Sequence, residues 1–212
     1  MAYRKSKRTV TQKRPPEPLT QAEVEALLRI CSVRSATGIR NRALIVLLWR
    51  SGVRCAEALA IRPCDIDREK RTISVLHGKG DKARLVAIDG WALTEIDLWI
   101  TIRARWKVPP SATLFCASSG APLDTSHVRR MLPGLARKAG IAKRVHAHGL
   151  RHTFAVRMRE EGMDIGFISH QLGHSDIATT VRYIRHVAPT DAIQAVHAIR
   201  WSNPSLKKPS SR

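Results

Sequence analysis

Tyr183 is one of two tyrosines in a chain of 212 residues, and its chemistry depends on its company. A phenol loses its proton near pH ~10, so it attacks only where cations or a base favour the phenolate. Arg182 and Arg185 stand beside it, whereas Tyr3 sits in a basic N-terminal run. Taken alone, Tyr183 reads either as a core residue with a polar tip or as a nucleophile. Nine positions before it lies His174, which one unbroken helix would carry to the opposite face. A helix ending at Gly173, with Ser175 or Asp176 capping the next, lets His174 fold back beside the phenol.

Three further groupings carry polar chemistry. Arg54 and Glu57, three apart, share a helical face. They are either a structural ion pair or an arginine steered by a carboxylate toward an anion. Lys79 sits between two glycines in the turn His77 to Lys82, which on its own describes a solvated lysine at a hairpin tip. The glycine-lysine loop of nucleotide-binding proteins is absent. Lys143 to His152 is the densest polar cluster, and a helix opening at Gly149 brings His148 and Arg151 out close together. His146, His148 and His152 lack a fourth soft ligand nearby, and adjacent cations oppose a metal, so no metal site and no cofactor are expected.

The elements that must position these groups are mostly helical. Thr20 to Glu23 is a capping box opening a helix with Val24, Leu27 and Leu28 inward. After a break at Ser35 to Gly38, Arg40 to Trp49 predicts an apolar central helix, with Gly52 suited to a left-handed cap. Val53 to Leu59 begins the next helix, and Pro63 stops it. Arg71 to Leu76 and Ala83 to Ile88 predict two strands of a hairpin. Helices follow at Trp91 to Trp106, from Asp124 or Thr125 to about Ala139, from Gly149 to Gly162, around Ile165 to Leu172, and up to Tyr183. Leu114 to Cys116 predicts a short strand. A last helix starts at Pro189 and Thr190 and carries Ile193, Val196 and Ile199 as a narrow stripe needing a surface to cover.

Composition limits the partner. Lys+Arg number 37 against 17 Asp+Glu, a formal charge of +20, which calls for a polyanion. An apolar content of 43% supports a core, and 5% aromatics argue against base stacking as the main binding mode. The four scattered cysteines have no metal-ligand spacing and read as reduced thiols. Residues 1–18, basic and proline-rich, lack the apolar stretch of a signal peptide. Ala43 to Trp49 is too short to span a bilayer. A cytoplasmic, nucleoid-associated protein away from membranes is expected.

In combination, four motifs resemble the tyrosine recombinases, also called phage integrases or Xer-type recombinases, over Leu19 to Trp201. Ser51 to Leu59 is similar to the first arginine box, and Gly78 to Lys82 to the hairpin lysine. His148-Gly149-Leu150-Arg151-His152 matches the HxLRH box. Leu172-Gly173-His174 with Tyr183 matches the LGH…Y box, including His186. The resemblance implies an α+β, mostly helical catalytic fold with a small antiparallel sheet at one edge. It implies a catalytic domain over 19–201, while residues 1–18 read by composition as a flexible basic arm and 202–212 as a disordered basic tail. Tyr183 would attack a DNA phosphodiester to give a 3′-phosphotyrosine, with Arg54 and Arg151 clamping the non-bridging oxygens. Lys79 would protonate the leaving 5′-oxygen, His148 would act as general acid/base, and His174 would hydrogen-bond the phosphate. Glu57 would orient Arg54, and Lys82, Arg84, Arg144 and Arg182 would make further DNA contacts.

Most relatives carry a separate helical core-binding domain before the catalytic one. Only eighteen residues precede it here, as in the compact fimbrial-switch recombinases. The expected partner is double-stranded DNA, bound as a homotetramer through the last helix, with accessory DNA-bending proteins or a larger recombinase. The expected outcome is integration, excision or inversion of DNA, as for a mobile element. A DNA-binding regulator without catalysis, a mobile-element remnant and a type IB topoisomerase-like enzyme are the alternatives.

Overall fold

The computed structural model describes residues 17–76, 83–109, 111–174 and 176–184, the side chains of Arg182 and Tyr183 aside. The N-terminal arm up to residue 16, the turn with Lys79 and Lys82, the last helix and the tail lie outside the described residues.

Eight α-helices, one short 3-10 helix and one small sheet make up the described residues. Helix α1 (Gln21–Ile30) opens on the expected capping box, in which Thr20 and Glu23 each accept the other's backbone N–H. Helix α2 (Ala36–Ser51) begins four residues earlier than expected. The Oγ of Ser35 accepts the N–H of Gly38, so that glycine belongs to the first turn and not to a break. A side chain at Gly38 would meet the carbonyl oxygen of Ser32 at 2.0 Å, which accounts for glycine inside a helix.

Ala43 to Leu48 are buried on every side, so α2 is the central rod of the core. Each such leucine contributes about 1.5–3 kcal/mol by leaving water. It packs against α4 (Gly90–Ala104) and α6 (Ala147–Glu160). Helix α3 (Cys55–Ala60) follows α2 after a short bend. The antiparallel sheet is β1 (Ile66–Asp67), β2 (Thr72–Val75) and β3 (Arg84–Ala87), in that order, with Thr72 opposite Ala87 and Val75 opposite Arg84. The two-residue β1 follows directly on a single 3-10 turn at Pro63–Asp65.

Leu114 to Cys116 forms no strand beyond a single bridge from Cys116 to Pro122. Its backbone is spent elsewhere: Leu114 donates to the carbonyl of Ile61 and accepts the Trp99 indole N–H at 2.8 Å. Helix α5 (Thr125–Lys138) is capped by Asp124. Helix α6 starts at Ala147 and not at Gly149, because the imidazole of His146 caps it by accepting the Gly149 N–H at 2.8 Å. Helices α7 (Ile165–Leu172) and α8 (Ile177–Ile184) complete the described chain. A second, smaller core of Phe154, Ala155, Ile168, Leu172 and Ile184 binds α6, α7 and α8 into one unit. Among the described residues, no helix is long and apolar enough to cross a membrane.

Candidate active site

The site is built on the end of α7. Gly173 takes the left-handed conformation at φ 66°. Its N–H bonds the carbonyl of His170, and the N–H of His174 reaches back to that of Ser169. This closing pattern satisfies two of the last carbonyls of the helix and leaves the next three without helical donors. Three guanidinium groups take them. Arg151 donates to the Leu172 oxygen at 2.7 Å, Arg54 to the Gly173 oxygen at 2.8 Å, and Arg84 to the Gln171 oxygen at a longer 3.5 Å. The negative end of the helix dipole favours cations there.

Arg151 also bonds the carbonyl of Gly52 at 2.6 Å, where α2 ends. Two helix ends thus converge on one guanidinium, which is how a cation only 3% exposed is held. Gly52 is itself left-handed at φ 66°, and a Cβ there would lie 2.5 Å from the Phe154 ring. Arg54 precedes the first turn of α3, and its Nη1 donates to Glu57 Oε1 at 2.7 Å. The backbone N–H of Arg54 bonds the other oxygen of Glu57 at 2.8 Å.

Arg84, expected at the DNA surface, is turned inward. Both its terminal nitrogens bond Glu57, at 3.0 and 2.8 Å, and its side chain is 10% exposed. The pleat explains this, since Arg84 shares a strand face with buried Val86 while Leu85 points out. Glu57 therefore lies between two guanidinium groups. Its burial would raise its pKa, but the hydrogen bonds from Arg84 and Arg54 outweigh that and bring it down to about 2.

His174 follows directly on Gly173, and its Nδ1 lies 2.7 Å from the Oγ1 of Thr180 on α8. Burial and the positive charges of Arg151, Arg54, His148 and Arg84 push its pKa down to about 4, so it is neutral at pH 7. His148 lies in the first turn of α6, stacked near His146 with ring centroids 6.2 Å apart. Desolvation, His146 and Arg151 lower its pKa as well. Arg144 is exposed. Tyr183 lies in the last turn of α8, three residues after Thr180, and Arg182 precedes it. The side chains of both, like Lys79 and Lys82, lie outside the described residues.

The described geometry therefore brings together Arg54, Glu57, Arg84, Arg151, His148 and His174 from four separate segments, the start of α3, β3, α6 and the end of α7. Two residues that sequence reasoning passed over also hold the site. Gln171 reaches out from α7, donating to the carbonyls of Ala87 and Ser51 and accepting the Ala87 N–H, and so ties the edge of the sheet to α7. Thr180, fully buried, is the other. Neither carries a local signal, because both partnerships join segments distant in sequence or separated by a turn. Among the described residues, no group of three or more His, Cys, Asp or Glu is placed to hold a metal ion. A neutral imidazole and paired guanidinium groups at one helix end make an anion site suited to a phosphodiester.

Comparison with known proteins finds similarity over most of the chain. Residues 17–189 match the phage integrase family. The chain is 33% identical over 176 residues to a tyrosine recombinase XerC of Bacillus subtilis, covering 81% of this chain and 58% of that protein. It is 34% identical over 181 residues to a tyrosine recombinase XerD of Halalkalibacterium halodurans, covering 84% and 60% respectively. Among solved structures, the XerA recombinase superposes with a TM-score of 0.76 at 32% identity, over 89% of this chain and 67% of that one. The XerH site-specific recombinase bound to its difH substrate before cleavage gives 0.72 at 27% identity, over 89% and 56%. The chain thus spans somewhat over half the length of the curated relatives it matches.

Proposed function

The chain belongs to the phage integrase family, and from that premise we propose that it is a site-specific recombinase that cuts and rejoins double-stranded DNA. The observation that carries this reading is the pair of guanidinium groups, Arg54 and Arg151, on adjacent carbonyls at the end of α7. The helix bearing Tyr183 follows only four residues later.

In this reading the hydroxyl oxygen of Tyr183 attacks the phosphorus in line with the 5′-oxygen. The bond from phosphorus to that oxygen breaks as the phosphotyrosine bond forms. Arg54 and Arg151 hold the non-bridging oxygens, whose negative charge grows in the transition state. Preorganised donors of this kind stabilise that charge without reorganising. His148, held neutral, takes the phenolic proton as general base. Lys79 supplies a proton to the leaving 5′-oxygen. His174, also neutral, donates one hydrogen bond to the phosphate and adds no charge of its own. The covalent intermediate keeps the energy of the phosphodiester, so rejoining to another strand needs no nucleotide. Acting on DNA, the protein works in the cytoplasm at the nucleoid, as a tetramer through its last helix, with accessory DNA-bending proteins or a larger recombinase as further partners.

The test uses a nicked suicide substrate that traps the adduct. The wild-type chain is expected to form a covalent complex at the 3′ side of the break. Tyr183→Phe is expected to bind the same DNA and form none. An adduct with the phenylalanine variant would overturn the assignment of the nucleophile.

A further inference from the structure

Thr180 lies three residues before Tyr183 on α8, fully buried, with its hydroxyl 2.7 Å from Nδ1 of His174. Either atom could supply the hydrogen, since a hydroxyl both donates and accepts and a neutral imidazole has two tautomers. Three other helical threonines show the commitment that would decide against donation. Thr94, Thr101 and Thr153 each donate to the carbonyl four residues back, at 3.0, 2.9 and 2.9 Å. A hydroxyl committed in that way could only accept from the imidazole. Thr180 departs from the pattern. Among the described residues, the carbonyl of Asp176 accepts the backbone N–H of Thr179 at 3.1 Å and makes no bond with the Thr180 hydroxyl. The hydroxyl hydrogen is therefore available to Nδ1, and full burial keeps water from replacing it.

The direction of this bond decides what His174 can do. With Nδ1 accepting, the single hydrogen of the neutral ring resides on Nε2. An Nε2–H can donate to a phosphate oxygen, whereas an Nε2 lone pair would repel one. We propose that Thr180 is a positioning residue for DNA cleavage: its hydroxyl donates to Nδ1 of His174, fixes the Nε2–H tautomer and so delivers a hydrogen-bond donor to the scissile phosphate. The catalytic half of this inference rests on the recombinase reading above. The same bond also fastens α8 from the face that Thr180 shares with Tyr183. Ile184, 3% exposed in the small core of α6 and α7, fastens the same helix one turn further on.

The experiment combines nitrogen NMR of the His174 ring in the free full-length chain with the rate of adduct formation on the suicide substrate. Wild type is expected to show the Nε2–H tautomer. Thr180→Val, which keeps the shape and removes the hydroxyl, is expected to give a tautomer mixture. It should also slow adduct formation about tenfold, the lower end of what loss of an orienting partner costs, with DNA affinity unchanged. Thr180→Ser should restore both tautomer and rate. An Nδ1–H tautomer in a wild type that does cleave removes this proposal alone. So does a valine variant with tautomer and rate unaltered, or a serine variant as slow as the valine one. Absence of any adduct from wild type removes the recombinase reading, and the catalytic half of the proposal with it.

Discussion

Replacing Glu57 by glutamine keeps the shape of the side chain and removes its charge from between Arg54 and Arg84. The carboxylate is 5% exposed, and its pKa falls from 4.5 to about 2 on folding. A group depressed in this way stabilises the fold above its unfolded value and ceases to do so as pH falls through the folded one. A shift of that size corresponds to about 3 kcal/mol at pH 7. This agrees with the ~3–5 kcal/mol lost when one partner of a buried ion pair is removed. Urea unfolding of wild type and Glu57→Gln should therefore differ by about 3 kcal/mol at pH 7, and equally at pH 6. The difference should narrow below pH 4.5, reaching about 2 kcal/mol at pH 3.5 by the same linkage. A gap below ~1 kcal/mol at pH 7, or one that widens toward pH 3.5, would refute the placement of Glu57 as the shared counter-ion. The variant should also form covalent adduct more slowly, because Arg54 loses its guide.

Arg84→Met should cost about 3 kcal/mol in the same assay. It should leave the salt dependence of DNA binding as in wild type, since Arg84 faces Glu57; a slope lower by about one would place it on a phosphate. Gly173→Ala should cost about 2 kcal/mol, because the left-handed backbone disfavours a side chain and the new methyl would lie 2.6 Å from Nε of Arg84. An unchanged unfolding midpoint would contradict that crowding. Wild-type stability should decline as pH drops from 6.5 toward 4, because His174 is held neutral in the fold and charges when unfolded. His174→Gln should show a shallower decline over that interval, and an equally steep one would assign the titration elsewhere.

Much of this arrangement could be read in the chain, wherever the cause is local. The spacing of Arg54 and Glu57 specifies a shared face, and they bond at 2.7 Å. Gly52 and Gly173 fall where left-handed caps are needed, and both have φ 66°. The capping box at Thr20 stands as expected. What could not be read depends on long-range partners. Arg84 looks like any exposed cation after a basic turn until Glu57, 27 positions away, is set beside it. Gln171 looks like a solvated helix residue until its amide is found on Ala87, 84 positions away. His146 is an uncommon helix cap, because an imidazole must be neutral and correctly oriented to accept there, and so the sequence alone points to a start at Gly149, two residues after the true start of α6.

Three consecutive carbonyls at the end of α7 each meet a different arginine, so the length of that helix works as a gauge. One residue added or removed there would turn the last carbonyls by about 100° and slide them by about 1.5 Å. The three cations, which come from α6, from the approach to α3 and from the sheet, could not all follow. The terminus of α7 thus has little freedom to change in length.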